Sequence, residues 1–213
     1  MSEHNNVIVS ICGPSTSGKT ELSKLLKIEG YSGVVTTTTR PQRTGEHHGI
    51  NYYFVSEDKF NNMKSNGELL ENVNVNGYQY GVSLQGLNDA LKKGLDCVIV
   101  LEPDGANILE EYCKNNNIKN VKVYVNNPIP VLLDRLKIRY QEDNNASQGD
   151  YKDRLFNIVF FEPENWTDKA MNGEHHYDLI FQTFDKNNTN DVLQDVLNGV
   201  NKSKKNTKTP QIR

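Results

Sequence analysis

The octapeptide GPSTSGKT, Gly13 to Thr20, constrains the fold of this chain more than any other stretch. NVIVSIC precedes it, and that β-branched run predicts a strand buried on both faces of a parallel sheet. KTELSKLLKIEG follows, a helix with Leu22, Leu25 and Leu26 on one face and Gly30 as its stop. G-x-x-x-x-G-K-T between such a strand and helix is the spacing of a phosphate-binding loop. Gly13 and Gly18 permit backbone conformations closed to other residues. The loop of Gly13, Pro14, Ser15, Thr16, Ser17 and Gly18 then turns its N–H groups inward as a nest for phosphate oxygens, at the positive end of a helix dipole. Lys19 adds a charge for the β- and γ-phosphates, and the Thr20 hydroxyl is placed to ligate Mg2+. A triphosphate with Mg2+ is the expected occupant.

The rest of the chain keeps an α/β rhythm with one interruption. YSGVVTTTT predicts a second, short strand. NYYFV, a short helix SEDKFNNMKSNG and ELLENVNVNGYQYG come next; Val73 and Val75 alternate with asparagines, and Asn76-Gly77 is a hairpin turn. These pieces predict a small antiparallel insert. Helices are then expected at SLQGLNDALKKG, DGANILEEYCKNNN, PIPVLLDRLKIRY, YKDRLFNIVFFE and NDVLQDVLNGV, and strands at DCVIVLE, VKVYV and YDLIF. QEDNNASQGD lacks apolar periodicity and reads as a mobile loop, a lid spanning about residues 139–154. The expected fold is α/β, a P-loop NTPase-type parallel sheet with helices on both faces. Its core covers residues 1–35 and 82–200, the insert 36–81, and a basic, disordered tail 201–213.

Composition narrows the partners. No run of about 18 apolar residues exists, so no membrane span is expected, and MSEHNN lacks the apolar core of a secretory signal. The cysteines number three and lack metal-ligand spacing; Cys12 and Cys97 lie in apolar runs, which fits a reducing, cytoplasmic setting. A net charge of −3 gives no general affinity for nucleic acid, although the four lysines and one arginine of the tail leave weak polyanion binding open. The adjacent pairs His47-His48 and His175-His176 diverge from one another and suit a single metal poorly.

The second half of a site is written in TTTTRPQRTGEHHGINYYF, residues 36–54. Arg40 and Arg43 follow a strand at the sheet edge where open α/β folds bind ligands. A guanidinium fork clamps phosphate through paired hydrogen bonds. Tyr52 and Tyr80 bring hydroxyl donors on rigid rings, and Glu71 offers a carboxylate that accepts two N–H bonds from a base edge. As a set beside the glycine-rich loop, they favour a second nucleotide, a monophosphate.

GPSTSGKT, TTTTRPQRTGEHHGINYYFV, GELLENVNVNGYQYG and RLKIRY together make the sequence resemble guanylate kinases, from Val7 to about Val200. The resemblance implies ATP-dependent phosphorylation of a nucleoside monophosphate, foremost GMP or dGMP. It implies that Arg40, Arg43, Tyr52 and Tyr80, with Gly81 beside them, hold the monophosphate's phosphate. Glu71 would bind the guanine ring N–H and amino group, and the Thr36 hydroxyl would face the base. Arg135, Arg139 and Arg154 match lid arginines that, with Lys19, Arg40 and Arg43, act on the phosphates being exchanged.

The sequence also departs from that family. Val82 stands where Ser or Thr usually donates to the guanine oxygen, and valine cannot donate. Val100 replaces an aspartate, Glu102 matches a second acid on the monophosphate side, Tyr140 replaces a glycine, and Thr183 stands where an asparagine is common. The methyls of Val82 would suit a 5-substituted pyrimidine, so dTMP or a 5-substituted dUMP is the alternative substrate. A different class of alternative is a non-catalytic module that grips a phosphoprotein in the arginine–tyrosine pocket. A third keeps the kinase and changes its acceptor to a sugar phosphate or a base within DNA. The complete Gly18-Lys19-Thr20 and the three lid arginines favour an enzyme.

Overall fold

The structure, a computed structural model, describes residues 6–75, 77–142, 148–185 and 187–205. Strand β1 (Val7–Cys12) lies at the centre of a five-stranded sheet. On one side it pairs with β7 (Cys97–Val100), which pairs with β2 (Ser32–Gly33); on the other it pairs with β8 (Lys119–Val125), which pairs with β9 (Leu179–Phe181). All four pairings are parallel, with Val9 opposite both Val98 and Val121.

Every residue of β1 is buried, because helices cover both faces of the sheet. The side chains of a strand alternate between faces. Val7, Val9 and Ile11 meet Leu22 and Leu26 of α1 (Lys19–Ile28), and Val192 and Val196 of α8 (Thr189–Lys205). Ile8 and Cys12 meet Leu87 of α3 (Leu84–Leu91), and Ala106 and Leu109 of α4 (Pro103–Asn115). This is the three-layer sandwich expected of alternating strands and helices.

The insert has its own sheet, ordered β4 (Tyr52–Phe54), β3 (Thr36–Thr38), β6 (Tyr78–Ser83), β5 (Leu69–Val75), with α2 (Glu57–Ser65) packed against β5. Ser56 caps α2 by accepting the Lys59 N–H, and Phe60 anchors it, fully buried.

Five expectations need correction. YSGVVTTTT is two strands, not one: β2 takes only Ser32 and Gly33, and β3 starts at Thr36 in the other sheet. Val34 still donates its N–H to Val98, so the chain leaves the core sheet at the two valines. The insert is mixed rather than antiparallel, because the 39–51 connection brings β4 back alongside β3 in the same direction, Thr36 opposite Tyr52. Strand β6 runs through Ser83, past the boundary placed after residue 81. Val75 pairs with Tyr78 across the hairpin, and Asn76 lies outside the described residues. The tail begins later than residue 201: α8 continues through Lys205, tied down by Lys204 on Asp96 and by Lys119 donating to the Lys204 carbonyl. Residues 206–213 lie outside the described residues.

The fifth correction concerns the lid. QEDNNASQGD is helical at both ends, in α5 (Ile129–Glu142) and α6 (Gln148–Phe156), and residues 143–147 lie outside the described residues. From α6 the helix does not stop at Glu162. It runs on through two π-helical turns, Asn157–Phe161 and Pro163–Thr167, into α7 (Asp168–Met171). Pro163 has no N–H to give to the ladder, which is one reason the regular α pattern fails here. Leu132, Leu136 and Ile158, with Tyr140 and Tyr151, form a small core that joins α5 to the helix running on from α6.

Phe60→Ala removes the buried anchor of α2. The expected loss is about 3–5 kcal/mol, read as a lowered urea midpoint; an unchanged midpoint would show that α2 does not hold the insert.

Candidate functional site

The Gly13–Thr20 loop leaves β1 and enters α1, as its motif requires. Gly13 has φ 144° and Gly18 has φ 108°, the left-handed region that glycine alone adopts easily. Both are also crowded. A Cβ on Gly13 would lie 2.0 Å from the Val125 carbonyl oxygen, and one on Gly18 would lie 2.4 Å from the Phe184 ring.

For the loop's N–H groups to turn inward, its carbonyls must turn out and find donors. Lys19 Nζ donates to the Gly13 and Pro14 carbonyls, each at 2.7 Å. Arg135 Nη1 donates to Thr16 O and Ser17 O at 3.3 Å, and Nη2 to Phe184 O at 2.8 Å. Asn127 Nδ2 donates to Ser17 O at 2.8 Å, and its Oδ1 accepts the Phe184 N–H. The Thr16 hydroxyl donates to Leu132 O of α5. Arg135 is thus engaged with the loop backbone, a support the sequence had assigned to the lid. Asn127 and Phe184 went unnoticed; the asparagine's place just after β8, in VNNP, was the available signal.

The insert supplies a second group of polar side chains. Arg40 is 6% exposed; Nη2 meets Glu46 Oε1 at 2.7 Å, Nη1 donates to Pro41 O, and the Tyr80 hydroxyl is a further partner. Its guanidinium carbon lies 5.4 Å from the Tyr52 ring centre, and the Tyr52 and Tyr80 rings meet edge to face at 5.9 Å. Glu46 also accepts the Arg43 N–H at 2.9 Å. Burial opposes the Glu46 charge, yet these bonds to Arg40 and Arg43 hold its carboxyl below the usual range. Glu46 is therefore a second residue that sequence reasoning passed over, although it sits inside the long motif. Thr36 starts β3 opposite Tyr52 and is half-buried.

Glu71, 5% exposed, projects from β5 at the seam with α4. Its Oε1 accepts the Val82 N–H at 3.1 Å. Its Oε2 is buried with no hydrogen-bond partner among the described residues, and so is Oε2 of Glu102, which precedes α4. A Cβ on Gly105 would lie 3.0 Å from that Glu71 oxygen. Burial pushes the Glu71 pKa up to about 7, against the Val82 hydrogen bond and with the help of the Glu102 charge. Burial raises Glu102 as well, opposed by Lys19 and Arg154.

The place of Val82 corrects one expectation. Its side chain is fully buried in the core cluster with Leu87 and Ala106, and only its N–H reaches the site. Its methyls therefore do not line a base pocket, which removes the argument for a 5-substituted pyrimidine. Gly81 is likewise packed: a Cβ there would lie 2.9 Å from the Glu71 carbonyl oxygen and 3.1 Å from Phe60. Val100 is half-buried beside the α1–α8 face, and Thr183 is exposed with its carbonyl accepting from Asn188.

Three guanidiniums converge between the insert and the glycine-rich loop. Arg139 comes from α5, Arg154 from α6 and Arg43 from the insert. Burial lowers the Arg139 pKa, and the charges of Arg154 and Arg43 lower it further. Asp150 sits among them: Oδ2 lies 3.6 Å from Arg43 Nη2, both its oxygens lie 3.2 Å from Arg154 Nε, and the Tyr140 hydroxyl donates to it. Arg154 Nη1 then donates to the Ser15 hydroxyl at 3.2 Å. A continuous chain of contacts thus links the insert, α6 and the glycine-rich loop. Thr20, in the first turn of α1, is exposed. Among the described residues no cluster of three His, Cys, Asp or Glu side chains is arranged to hold a metal.

The family model described as Guanylate kinase matches residues 4–156, more than half of the chain. The chain belongs to the guanylate kinase family. A guanylate kinase of Legionella pneumophila (strain Paris) is 32% identical over 149 residues, 68% of this chain and 69% of that one. One of Clostridioides difficile (strain 630) is 31% identical over 151 residues, 70% of each chain. The crystal structure of guanylate kinase from Anaplasma phagocytophilum matches with a TM-score of 0.62 at 24% identity, covering 95% of this chain and 88% of that one; it shares the fold. Among the described residues no helix is long and apolar enough to cross a membrane.

The folded-state pKa of Glu71 lies above that of the same group in the unfolded chain. The folded protein therefore holds a proton that the unfolded chain releases, and stability falls as pH rises from about 4.5 to about 7. Glu71→Gln is expected to flatten this slope by up to about 3 kcal/mol between roughly pH 5 and pH 8, measured by urea unfolding. An equally steep slope in the variant would show that Glu71 titrates normally.

Proposed function

We propose that the protein phosphorylates GMP at the expense of ATP, yielding GDP and ADP. The observation that carries this reading is the chain Arg43–Asp150–Arg154–Ser15, which sets the insert pocket and the glycine-rich loop side by side under a cluster of guanidiniums. Such a cluster, with Arg139 held at a charge-repelling distance, suits two polyanions meeting end to end.

In this reading the Gly13–Thr20 loop holds the ATP phosphates. Arg43, Tyr52 and Tyr80 hold the GMP phosphate, with Arg40 fixed behind them by Glu46. Glu71, with its free buried oxygen, accepts the guanine ring N–H and amino group, and Thr36 faces the base. Val82 and Glu102 hold and tune Glu71 rather than touch the base through an apolar pocket.

The attacking atom is a phosphate oxygen of GMP. With a second pKa near ~6 it is largely dianionic at neutral pH, and no general base is required. The protein's work is to align it with the γ-phosphorus of ATP and to quench the repulsion between the two anions. Lys19, Arg139 and Arg154 supply the fixed charge, while the lid arms exclude water that would otherwise hydrolyse ATP. Guanylate kinases act with a divalent metal, and the residues fit Mg2+: Thr20 offers one hard hydroxyl oxygen at the loop's end, the remaining positions being suited to phosphate oxygens and water. Held there, it would supply positive charge against the ATP phosphates.

Buried free cysteines at positions 12, 97 and 113 agree with a reducing, cytoplasmic setting. An intact Gly18-Lys19-Thr20 supports catalysis over a phosphoprotein-binding role.

An ATP-coupled assay across ribo- and deoxynucleoside monophosphates should show GMP or dGMP turned over and dTMP not; turnover of dTMP alone would overturn the guanine assignment. Lys19→Ala is expected to lower kcat by roughly a hundredfold or more while the protein stays folded, judged by its circular dichroism. Arg43→Ala should raise KM for GMP about tenfold or more while leaving KM for ATP nearly alone; an equal rise in both constants would contradict the two-pocket assignment.

A further inference from the structure

Glu162 is 4% exposed, and the phosphotransfer reading gives it no role. Burying a carboxylate is costly unless its oxygens find donors. Here both oxygens face the Ser15 N–H of the glycine-rich loop, at 3.2 and 3.1 Å. The groups facing it are Lys19, which heads α1, Glu102, which precedes α4, and Arg154 on its own helix. Arg154, on that same helix, donates to the Ser15 hydroxyl. One helix therefore grips one loop residue twice, through its main chain and through its side chain.

The helix is deformed to make this grip. Arg154 and Glu162 are eight residues apart. In an unbroken α-helix that spacing would turn them about 80° from each other. A π-helical turn takes up one extra residue, which brings them to within about 20° of a common face. The first π-helical turn, Asn157–Phe161, lies between them, closed by the Glu162 N–H donating to the Asn157 carbonyl.

We propose that Glu162 is a positioning residue that couples the lid to the glycine-rich loop, keeping the helix in register on Ser15 so that Arg154 is aimed at the phosphates of ATP. This rests on the phosphotransfer reading. A guanidinium prefers a phosphate to a neutral hydroxyl. ATP draws Arg154 away from Ser15, and the Glu162 bond to the Ser15 N–H then remains as the tie between helix and loop.

Trp166, the chain's single tryptophan, lies four residues beyond Glu162, edge-on to Phe161 at 5.8 Å, and reports on this helix by fluorescence. Titration of MgATP and of GMP into the wild-type protein, Glu162→Ala and Glu162→Gln tests the proposal. Glu162→Ala is expected to weaken MgATP binding about tenfold, to leave GMP within about twofold, and to lose the ATP-driven change in Trp166 emission. Glu162→Gln keeps an oxygen acceptor for the Ser15 N–H and should recover most of the affinity and the emission change. If the alanine variant does not fold, Glu162→Asp decides: an intermediate loss of MgATP affinity supports the coupling, and wild-type affinity overturns it. Unchanged or tighter MgATP binding by Glu162→Ala, an equal loss of both ligands, or an unaltered Trp166 response also overturns it. Wild-type turnover of GMP beside a Glu162→Ala variant indistinguishable from it removes the coupling alone; no wild-type turnover removes the kinase reading itself.

Discussion

The need of the loop carbonyls between Gly13 and Ser17 for hydrogen-bond donors is the constraint on which the rest of the structure depends. A loop whose N–H groups face inward leaves its carbonyls needing donors elsewhere. Three come from scattered places: Lys19 from α1, Asn127 from the end of β8 and Arg135 from α5; the Thr16 hydroxyl ties the loop to α5 in the other sense, donating to the Leu132 carbonyl. The consequence is structural economy. The residues that bond the loop carbonyls also tie the loop to α5 and fix where Phe184 packs over Gly18.

Charge is managed in the same way across the site. Glu46 neutralises Arg40 and orients the Arg43 main chain, so one carboxylate shapes the whole arginine turn. Asp150 does the same for Arg43 and Arg154 between insert and lid. Glu71 and Glu102, buried near one another and each with an oxygen lacking a partner among the described residues, are held in an uncomfortable state. Carboxylates arranged like that gain from a ligand bearing N–H donors. The cost of burying these two carboxylates and the affinity proposed for guanine are two sides of one electrostatic arrangement.

Much of this was legible in the residues. The Gly13–Thr20 motif between a strand and a helix, and the alternation of buried runs with amphipathic ones, were enough to foresee the three-layer core. The long arginine–tyrosine stretch was enough to foresee that Arg40, Tyr52 and Tyr80 gather in one place. What stayed hidden had a common cause. Glu46, Asp150, Asn127 and Glu162 carry no local pattern of their own, since a single polar residue in a loop or helix reads as solvated. Val82 misled in the opposite direction: its position in a motif suggested contact with a base, while the strand's alternation had turned its side chain into the core.

The sequence by itself determined the local conformations and the chemistry available. Glycines where the backbone must take positive φ, β-branched runs where strands are buried, and fixed cations near hydroxyls are all short-range properties. Only the tertiary structure decided which elements join which sheet, that Arg43, Arg139 and Arg154 from three separate segments crowd together, and that Glu162 turns toward Ser15. These are long-range outcomes, set by how layers pack and by where a helix gains a π-helical turn, and no local window of residues contains them.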